Sequence, residues 1–179
     1  MKASRLLLMS LFLGSLAPVF ASEEGLLKTL EIIYLKPQMR TNFDFVRFEN
    51  GSALISVWRD LPPNPQVDRL ECTAYQWLLS GRGEKMGDGA REAFQKFPEL
   101  QSIQLELVEV DYKTKSMDGR GKLQKVEESR PLIRMTIDRQ TALNIQEPIQ
   151  DLKQELRTSV EKCLSRGRSL VRNKEVTLQ

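Results

Sequence analysis

The apolar residues of the first 60 positions follow two different spacings. In segment 26–35 they recur at intervals of three and four residues, which predicts a helix, although residues 30–35 are also rich in β-forming types and a strand is the alternative. Segments 43–49 and 52–59 are rich in β-branched and aromatic residues and are separated by Asn50-Gly51. Because Asn-Gly readily adopts the positive φ angles of a tight hairpin turn, these segments are expected to pair as antiparallel strands.

Two helices are predicted between the hairpin and residue 98. Asn64 is a good N-cap and Pro65 suits the first helical position, so the longer helix should begin there and end at Gly81. Cys72 projects away from the apolar stripe of this longer helix. A shorter helix is expected from Asp88 to Phe97. The stripe of the longer helix comprises Val67, Leu70, Ala74, Trp77 and Leu78.

Residues 102–113 alternate apolar and polar residues, and a partner strand after the turn-like segment 116–122 completes a second predicted hairpin. The apolar phase changes at Leu107-Val108, which indicates a β-bulge or a strong twist there. The partner strand should cover about 121–138. Pro131 cannot donate to a ladder, so this strand should lie at an edge or be interrupted at that position.

A last helix is expected from Glu147-Pro148, followed by a basic tail from about 166 that frays. The expected fold class is α+β, with an antiparallel sheet of about four strands in two hairpins, packed against helices on one face. The buried stripe of this helix comprises Ile149, Leu152, Leu156, Val160 and Cys163.

The N-terminus has the three parts of a secretory signal peptide. Lys2 and Arg5 precede an apolar run at 6–16, and Val19-Phe20-Ala21 places small residues at the first and third positions. Cleavage is expected after Ala21, leaving 22–179 as a single domain in the periplasm or outside the cell. The run is shorter than the roughly 20 apolar residues of a membrane span, so no transmembrane segment is expected in the mature chain.

Export also changes the charge balance. Without Lys2 and Arg5, the 27 lysines and arginines become 25, against 24 acidic residues, so the mature chain carries about +1. A nearly neutral exported domain lacks the basic footprint of a nucleic-acid binder, so nucleic acid is not an expected partner.

This sequence lacks the residues that several kinds of catalysis, metal binding and nucleotide binding require. The chain has no histidine, which removes Ser-His-Asp and Cys-His catalysis and the commonest metal ligand. The two cysteines are far apart and form no zinc motif. The glycine-rich segment 81–89 matches neither a P-loop nor a dinucleotide fingerprint. No cofactor and no metal are therefore expected.

Cys72 and Cys163 are the two cysteines. An even count in an oxidising compartment favours one disulfide between them. Two reduced cysteines, packed as small apolar residues, are the alternative.

Cations cluster near the C-terminus and in two glycine-containing loops. If they converge in the fold, they form a patch for an anionic partner such as an envelope component; the alternative is a set of solvated loops and a frayed tail. Lys162 and Lys174 belong to the C-terminal group. The candidate anion-binding residues are Arg82, Lys85, Arg120, Lys122, Arg166, Arg168 and Arg172.

The expected function is a non-enzymatic exported domain that binds an anionic envelope component or a protein partner. The alternative is a small hydrolase. One version uses a Ser159/Lys162 dyad in an S-x-x-K arrangement, although a surface turn of a helix explains that spacing equally. The other uses a carboxylate pair drawn from Glu106, Glu109 and Asp111, which are also the polar positions of a half-buried strand.

Overall fold

The computed structural model describes residues 22–35, 42–59, 66–82, 89–116, 123–146, 151, 154, 158–171 and 173–177. The signal segment 1–21 lies outside these ranges. The described helices are α1 (Glu23–Tyr34), α2 (Val67–Ser80), α3 (Ala90–Lys96), α4 (Arg139–Leu143) and α5 (Val160–Leu170). The strands are β1 (Phe45–Glu49), β2 (Ser52–Trp58), β3 (Ser102–Ser116), β4 (Leu123–Asp138) and β5 (Asn173–Val176).

The five strands form one sheet in the order β1-β2-β3-β4-β5, and the helices cover one of its faces. The core lies between the two layers, where Ile55, Leu105 and Met135 of the sheet are buried with Leu30 and Leu78 of the helices. The predicted α+β class is thereby confirmed. The described helices include none with the length and apolar character needed to cross a bilayer.

The first hairpin forms at the predicted turn. Asn50 and Gly51 adopt φ angles of 51° and 78°, and Glu49 pairs with Ser52 across the turn. Positive φ at both central residues matches the right-handed twist of the two strands, which explains why this dipeptide fixes the register.

The sheet is mixed, whereas the sequence predicted an antiparallel one. β2 and β3 are parallel, from Ser52 opposite Ser102 to Trp58 opposite Val108. Parallel strands need a long crossover connection, and α2 and α3 provide it. The fifth strand, β5, pairs antiparallel with β4 and was not predicted.

The predicted irregularity near Leu107-Val108 is confirmed. Leu107 pairs with Ile133 but Val108 pairs with Pro131, so Leu132 is the extra residue of a bulge on β4. The backbone N–H of Thr177 donates to the Leu132 carbonyl at 2.9 Å. Pro131, which has no backbone N–H to donate, lies beside this bulge, where the regular pairing of β3 with β4 is interrupted.

Helix α2 differs from its prediction at its start and in its buried surface. It begins at Val67 with Gln66 as N-cap, two residues after the expected Asn64, which lies outside the described residues. Gly81 is its C-cap, as predicted. Val67 is 40% exposed, and the helix is buried on two sides because α5 covers the side opposite the sheet. That second buried side comprises Glu71, Cys72, Tyr75 and Leu79.

The C-terminal segment also differs from its prediction. Ser159 adopts extended angles, φ −154° and ψ 155°, and caps a separate helix, α5. Val160 is 37% exposed rather than buried, whereas Cys163 is fully buried. The predicted stripe residues Ile149, Leu152 and Leu156 lie outside the described residues. The described part of the basic segment is ordered, unlike the expected frayed tail, since it completes α5 and then forms β5.

Candidate functional site

A disulfide joins Cys72 of α2 to Cys163 of α5, with their Cα atoms 5.7 Å apart. The predicted bridge is therefore present. Cys72 lies off the sheet-facing stripe of α2 because α5, and not the sheet, packs against that side. The bridge connects positions 91 residues apart in sequence.

A buried carboxylate lies next to the disulfide. Glu71 is 2% exposed and accepts hydrogen bonds from the Tyr75 hydroxyl at 2.7 Å and Arg168 Nε at 3.0 Å. Lys174 Nζ on β5 donates to the same carboxylate oxygen at 2.9 Å. Burial and the hydrogen bond to Glu71 raise the pKa of Tyr75, so its hydroxyl stays protonated and donates. We call the Cys72–Cys163 bridge and the Glu71 cluster the C-terminal latch.

The latch carries a prediction for acid pH. Burial alone raises the pKa of Glu71, but the hydrogen bonds from Arg168, Lys174 and Tyr75 outweigh it, and the pKa is lowered overall. Its stabilising contribution is therefore complete above the ordinary glutamate pKa, about 4.3. The contribution is lost as the pH falls through the lowered pKa.

Glu71→Gln is expected to cost about 1–2 kcal/mol at neutral pH and to flatten the acid limb of the stability curve. Urea unfolding at a series of pH values measures both effects. Glu175→Gln is the matched control, because Glu175 is 69% exposed and pairs with Arg134 at 3.3 Å. An acid limb as steep in Glu71→Gln as in the unchanged protein would contradict the assignment.

The candidate cations do not meet in one patch among the described residues. Arg168 pairs with Glu71 near the start of α2, whereas Arg82 follows its C-cap. Ten residues of helix separate Glu71 from Gly81, or about 15 Å. Arg166 lies on α5. Lys85, Arg120, Lys122 and Arg172 lie outside the described residues.

An open depression of about 570 Å³ follows the outer face of α5. It brings Lys162 and Arg166, one helical turn apart, beside three serine hydroxyls and one acidic side chain. Its side chains are exposed except that of Arg166, which is half-buried. We call this depression the α5 groove. It is lined by Ser159, Glu161, Lys162, Ser165, Arg166 and Ser169.

A second polar feature lies at the end of the sheet where β2 terminates. The guanidinium carbons of Arg59 and Arg82 lie 5.5 Å and 4.6 Å from the centroid of the Trp77 ring. Asp44, just before β1, accepts the backbone N–H of Trp58 at 3.0 Å and pairs with Arg82 at 3.6 Å. We call Asp44, Arg59, Trp77 and Arg82 the arginine–tryptophan cluster.

Two of the four side chains of the cluster are largely withdrawn from water, whereas Arg59 and Trp77 are half-buried. The side chains of Arg82 and Asp44 are 10% and 3% exposed. Burial lowers the pKa of Arg82, Asp44 opposes that change, and the positive charge of Arg59 lowers the pKa further. Arg59 Nε is buried and has no hydrogen-bond partner in the part of the chain that the structure describes.

Of these four residues, Arg82 was a candidate from the sequence and Trp77 was expected on the apolar stripe of α2, whereas nothing in the sequence singled out Arg59 or Asp44. The available signal was positional, since Arg59 directly follows β2 and Arg82 directly follows the C-cap of α2. Arg59 and Arg82 converge because of the way α2 crosses the sheet. The sequence around each arginine gives no information about that crossing.

The dyad and the carboxylate pair gain no support from the described geometry. Ser159 Oγ accepts the backbone N–H of Lys162 at 3.1 Å, which is the bond of a helix cap. Glu106 and Glu109 lie three residues apart on β3 and so point to opposite faces of the sheet. Each forms a cross-strand ion pair, with Arg134 and Arg130 respectively. The side chain of Asp111 lies outside what the structure describes.

Comparisons with protein-family models, with curated protein sequences and with solved structures find no match for this chain. Two features have the character of ligand-binding sites, the α5 groove and the arginine–tryptophan cluster.

Proposed function

We propose that this chain is an exported, non-enzymatic domain that binds an anionic envelope component, and that the α5 groove is its binding surface. The observation that carries the proposal is the alignment of Lys162, Arg166 and three serine hydroxyls along one depression of about 570 Å³. Cations supply attraction to phosphate-bearing surfaces, and the Ser159 and Ser165 hydroxyls can donate hydrogen bonds to phosphate oxygens. The Ser169 hydroxyl already donates to the Arg166 carbonyl at 2.7 Å.

Export is supported by two independent features. The N-terminal sequence has the charged, apolar and small-residue parts of a secretory signal. The Cys72–Cys163 bridge is the kind of bond that persists in oxidising compartments and is rare in the cytosol. Together they favour a periplasmic or extracellular location.

The latch determines which cations remain for a partner. Arg168 and Lys174 are paired with the buried Glu71, and taking them away would leave that carboxylate without its hydrogen bonds. Lys162 is exposed on the outer face of α5. We therefore assign Arg168 to the latch and Lys162 to ligand binding, together with Arg166, which lines the same groove one helical turn away.

The double substitution Lys162→Gln/Arg166→Gln tests the proposal. Vesicles containing phosphatidylglycerol and aggregates of lipopolysaccharide are the two probes, and sedimentation measures the bound fraction at increasing salt. We expect about a thirtyfold loss of affinity, because each cation near an anionic surface contributes about 1 kcal/mol. Binding of the unchanged protein should weaken as salt screens the charges.

Lys28→Gln/Lys96→Gln is the matched control, since it removes the same charge from exposed positions on α1 and α3. It should bind the probes nearly as well as the unchanged protein. If both double substitutions weaken binding equally, overall charge and not the α5 groove explains the binding. If the unchanged protein binds neither probe, the anionic-envelope proposal is wrong and a protein partner becomes the better explanation.

A further inference from the structure

The arginine–tryptophan cluster contains more hydrogen-bond donors than acceptors. Each guanidinium carries five N–H donors and no acceptor. Asp44, the cluster's one carboxylate, lies 3.6 Å from Arg82, beyond hydrogen-bond distance, and its oxygen also accepts the Trp58 N–H. Arg59 Nε has no partner among the described residues, although it is buried.

The charges of the cluster do not balance either. Among the described residues, two guanidinium groups face one carboxylate, which leaves a net charge of about +1 around the Trp77 ring. Arginine does not lose its proton in proteins, so the excess cannot be removed by deprotonation. A cation in a poorly hydrated place is costly unless an anion and hydrogen-bond acceptors accompany it.

We propose that the arginine–tryptophan cluster binds a monoanionic oxyanion group, either the carboxylate or the phosphodiester of a small ligand. One negative charge balances the two arginines and Asp44, whereas a dianion would bring a second charge close to the Asp44 carboxylate. Oxygen acceptors match the missing partners, because the Nε–H and Nη–H of one guanidinium form a planar fork that fits an oxyanion.

The surrounding contacts hold the site in place before a ligand arrives. Asp44 is fixed by the Trp58 N–H and in turn positions Arg82. Arg82 is held a second time, because its backbone N–H donates to the Ile33 carbonyl at the end of α1 at 2.9 Å. Arg59 donates its backbone N–H to Val108 on β3 at 2.9 Å. Contacts with α1, β2 and β3 thus fix the Asp44 carboxylate and the backbones of Arg59 and Arg82, and both guanidinium groups lie over the Trp77 ring.

The inference is independent of the α5 groove, which shares no residue with the cluster. It is tested by ¹⁵N–¹H spectra of the arginine Nε groups in the unchanged protein. The probes are sodium acetate and sodium dimethyl phosphate, titrated at constant ionic strength against sodium chloride. We expect the Arg59 Nε–H signal to shift saturably with acetate, with dimethyl phosphate or with both, and the chloride titration to cause no saturable shift.

Substitutions then assign the binding to the site. Arg59→Gln should weaken probe binding at least about tenfold, followed through the Trp77 indole N–H, because it removes a charge-assisted hydrogen bond. Arg59→Lys keeps the charge but lacks the fork, and it should also weaken binding. Arg47→Gln is the matched control, since Arg47 is an exposed residue of β1, 4.5 Å from the Phe45 centroid, and its substitution should leave binding unchanged.

The response to the two probes distinguishes the two sources of the anion, because a carboxylate ligand predicts the stronger shift with acetate and a phosphodiester predicts the reverse. The proposal is overturned if neither probe shifts the Arg59 signal saturably. It is also overturned if chloride shifts that signal as much, or if Arg59→Gln binds the probes as tightly as the unchanged protein. Loss of vesicle binding by the α5 substitutions leaves all of these results unaffected.

Discussion

Gly167→Ala is expected to lower the free energy of unfolding by about 3 kcal/mol, the upper part of the range for overpacking a buried contact. A Cβ atom at this position would lie 2.2 Å from Tyr75 Cδ2 and 2.4 Å from Cγ. Tyr75 is 1% exposed and its hydroxyl donates to Glu71, so the ring cannot move aside without disturbing the latch. Alanine gains about 1 kcal/mol over glycine in helix propensity, which is too little to offset the clash.

Two comparisons separate the clash from a general effect of the substitution. Gly25→Ala in α1 places its Cβ 3.4 Å from Ser22 Oγ, an ordinary contact, and should be neutral or slightly stabilising. In a Tyr75→Leu background, Gly167→Ala should cost less than about 1 kcal/mol, because the ring is absent. Urea unfolding measures each variant. An equal cost in both backgrounds would show that Tyr75 is not the obstacle.

The parts of the fold that were predictable from sequence depend on local patterns. The Asn50-Gly51 turn, the Leu107-Val108 irregularity and the end of α2 at Gly81 each follow from the backbone preference or side-chain period of a few neighbouring residues. The parallel pairing of β2 with β3 was missed because the alternation within a strand does not contain the direction of its neighbour.

The C-terminal segment shows why the rest could not be predicted. Residues 173–176 are polar at three of four positions and have a charged centre, so neither period indicates a strand. They form one because β4 offers an open edge and because Lys174 reaches Glu71 from there. Glu71 itself looked like an ordinary polar position of an amphipathic helix, since α5, which buries it, is 89 or more residues away in sequence.

The candidate site, like the fold, was predictable only where it depends on the composition or the local pattern of the chain. The pairing of Cys72 with Cys163 followed from their number and from the expected compartment, without any geometry. The candidate cations do not form the single patch that was expected, since Arg168 pairs with Glu71 whereas Arg82 pairs with Asp44 beyond the C-terminal end of α2.

Removing the disulfide is expected to have the largest effect of all on stability. In the chain-entropy model, a bridge closing a loop of this length stabilises the folded state by about 4–5 kcal/mol. Because Cys72 and Cys163 are 91 residues apart, removing the bridge mainly raises the conformational entropy of the unfolded chain. Cys72→Ala/Cys163→Ala should therefore lose a large part of the 5–15 kcal/mol typical of a domain, as measured by urea unfolding.

The unchanged protein under reducing conditions provides the control, because it lacks the bridge but keeps both buried side chains. It should be destabilised nearly as much as the alanine variant, with a difference of about 1 kcal/mol or less for each lost sulfur atom.

Hydrogen exchange then locates the part of the structure that is destabilised. Helix α5 is joined to α2 through the bridge and through the Arg168–Glu71 pair, so its amides should become exposed through local opening once the bridge is removed. The amides of α1 should follow global unfolding alone, since no covalent bond to α1 is lost. Equal unfolding midpoints for the oxidised and reduced protein would contradict the entropic account and assign the stability of α5 to the Glu71 cluster instead.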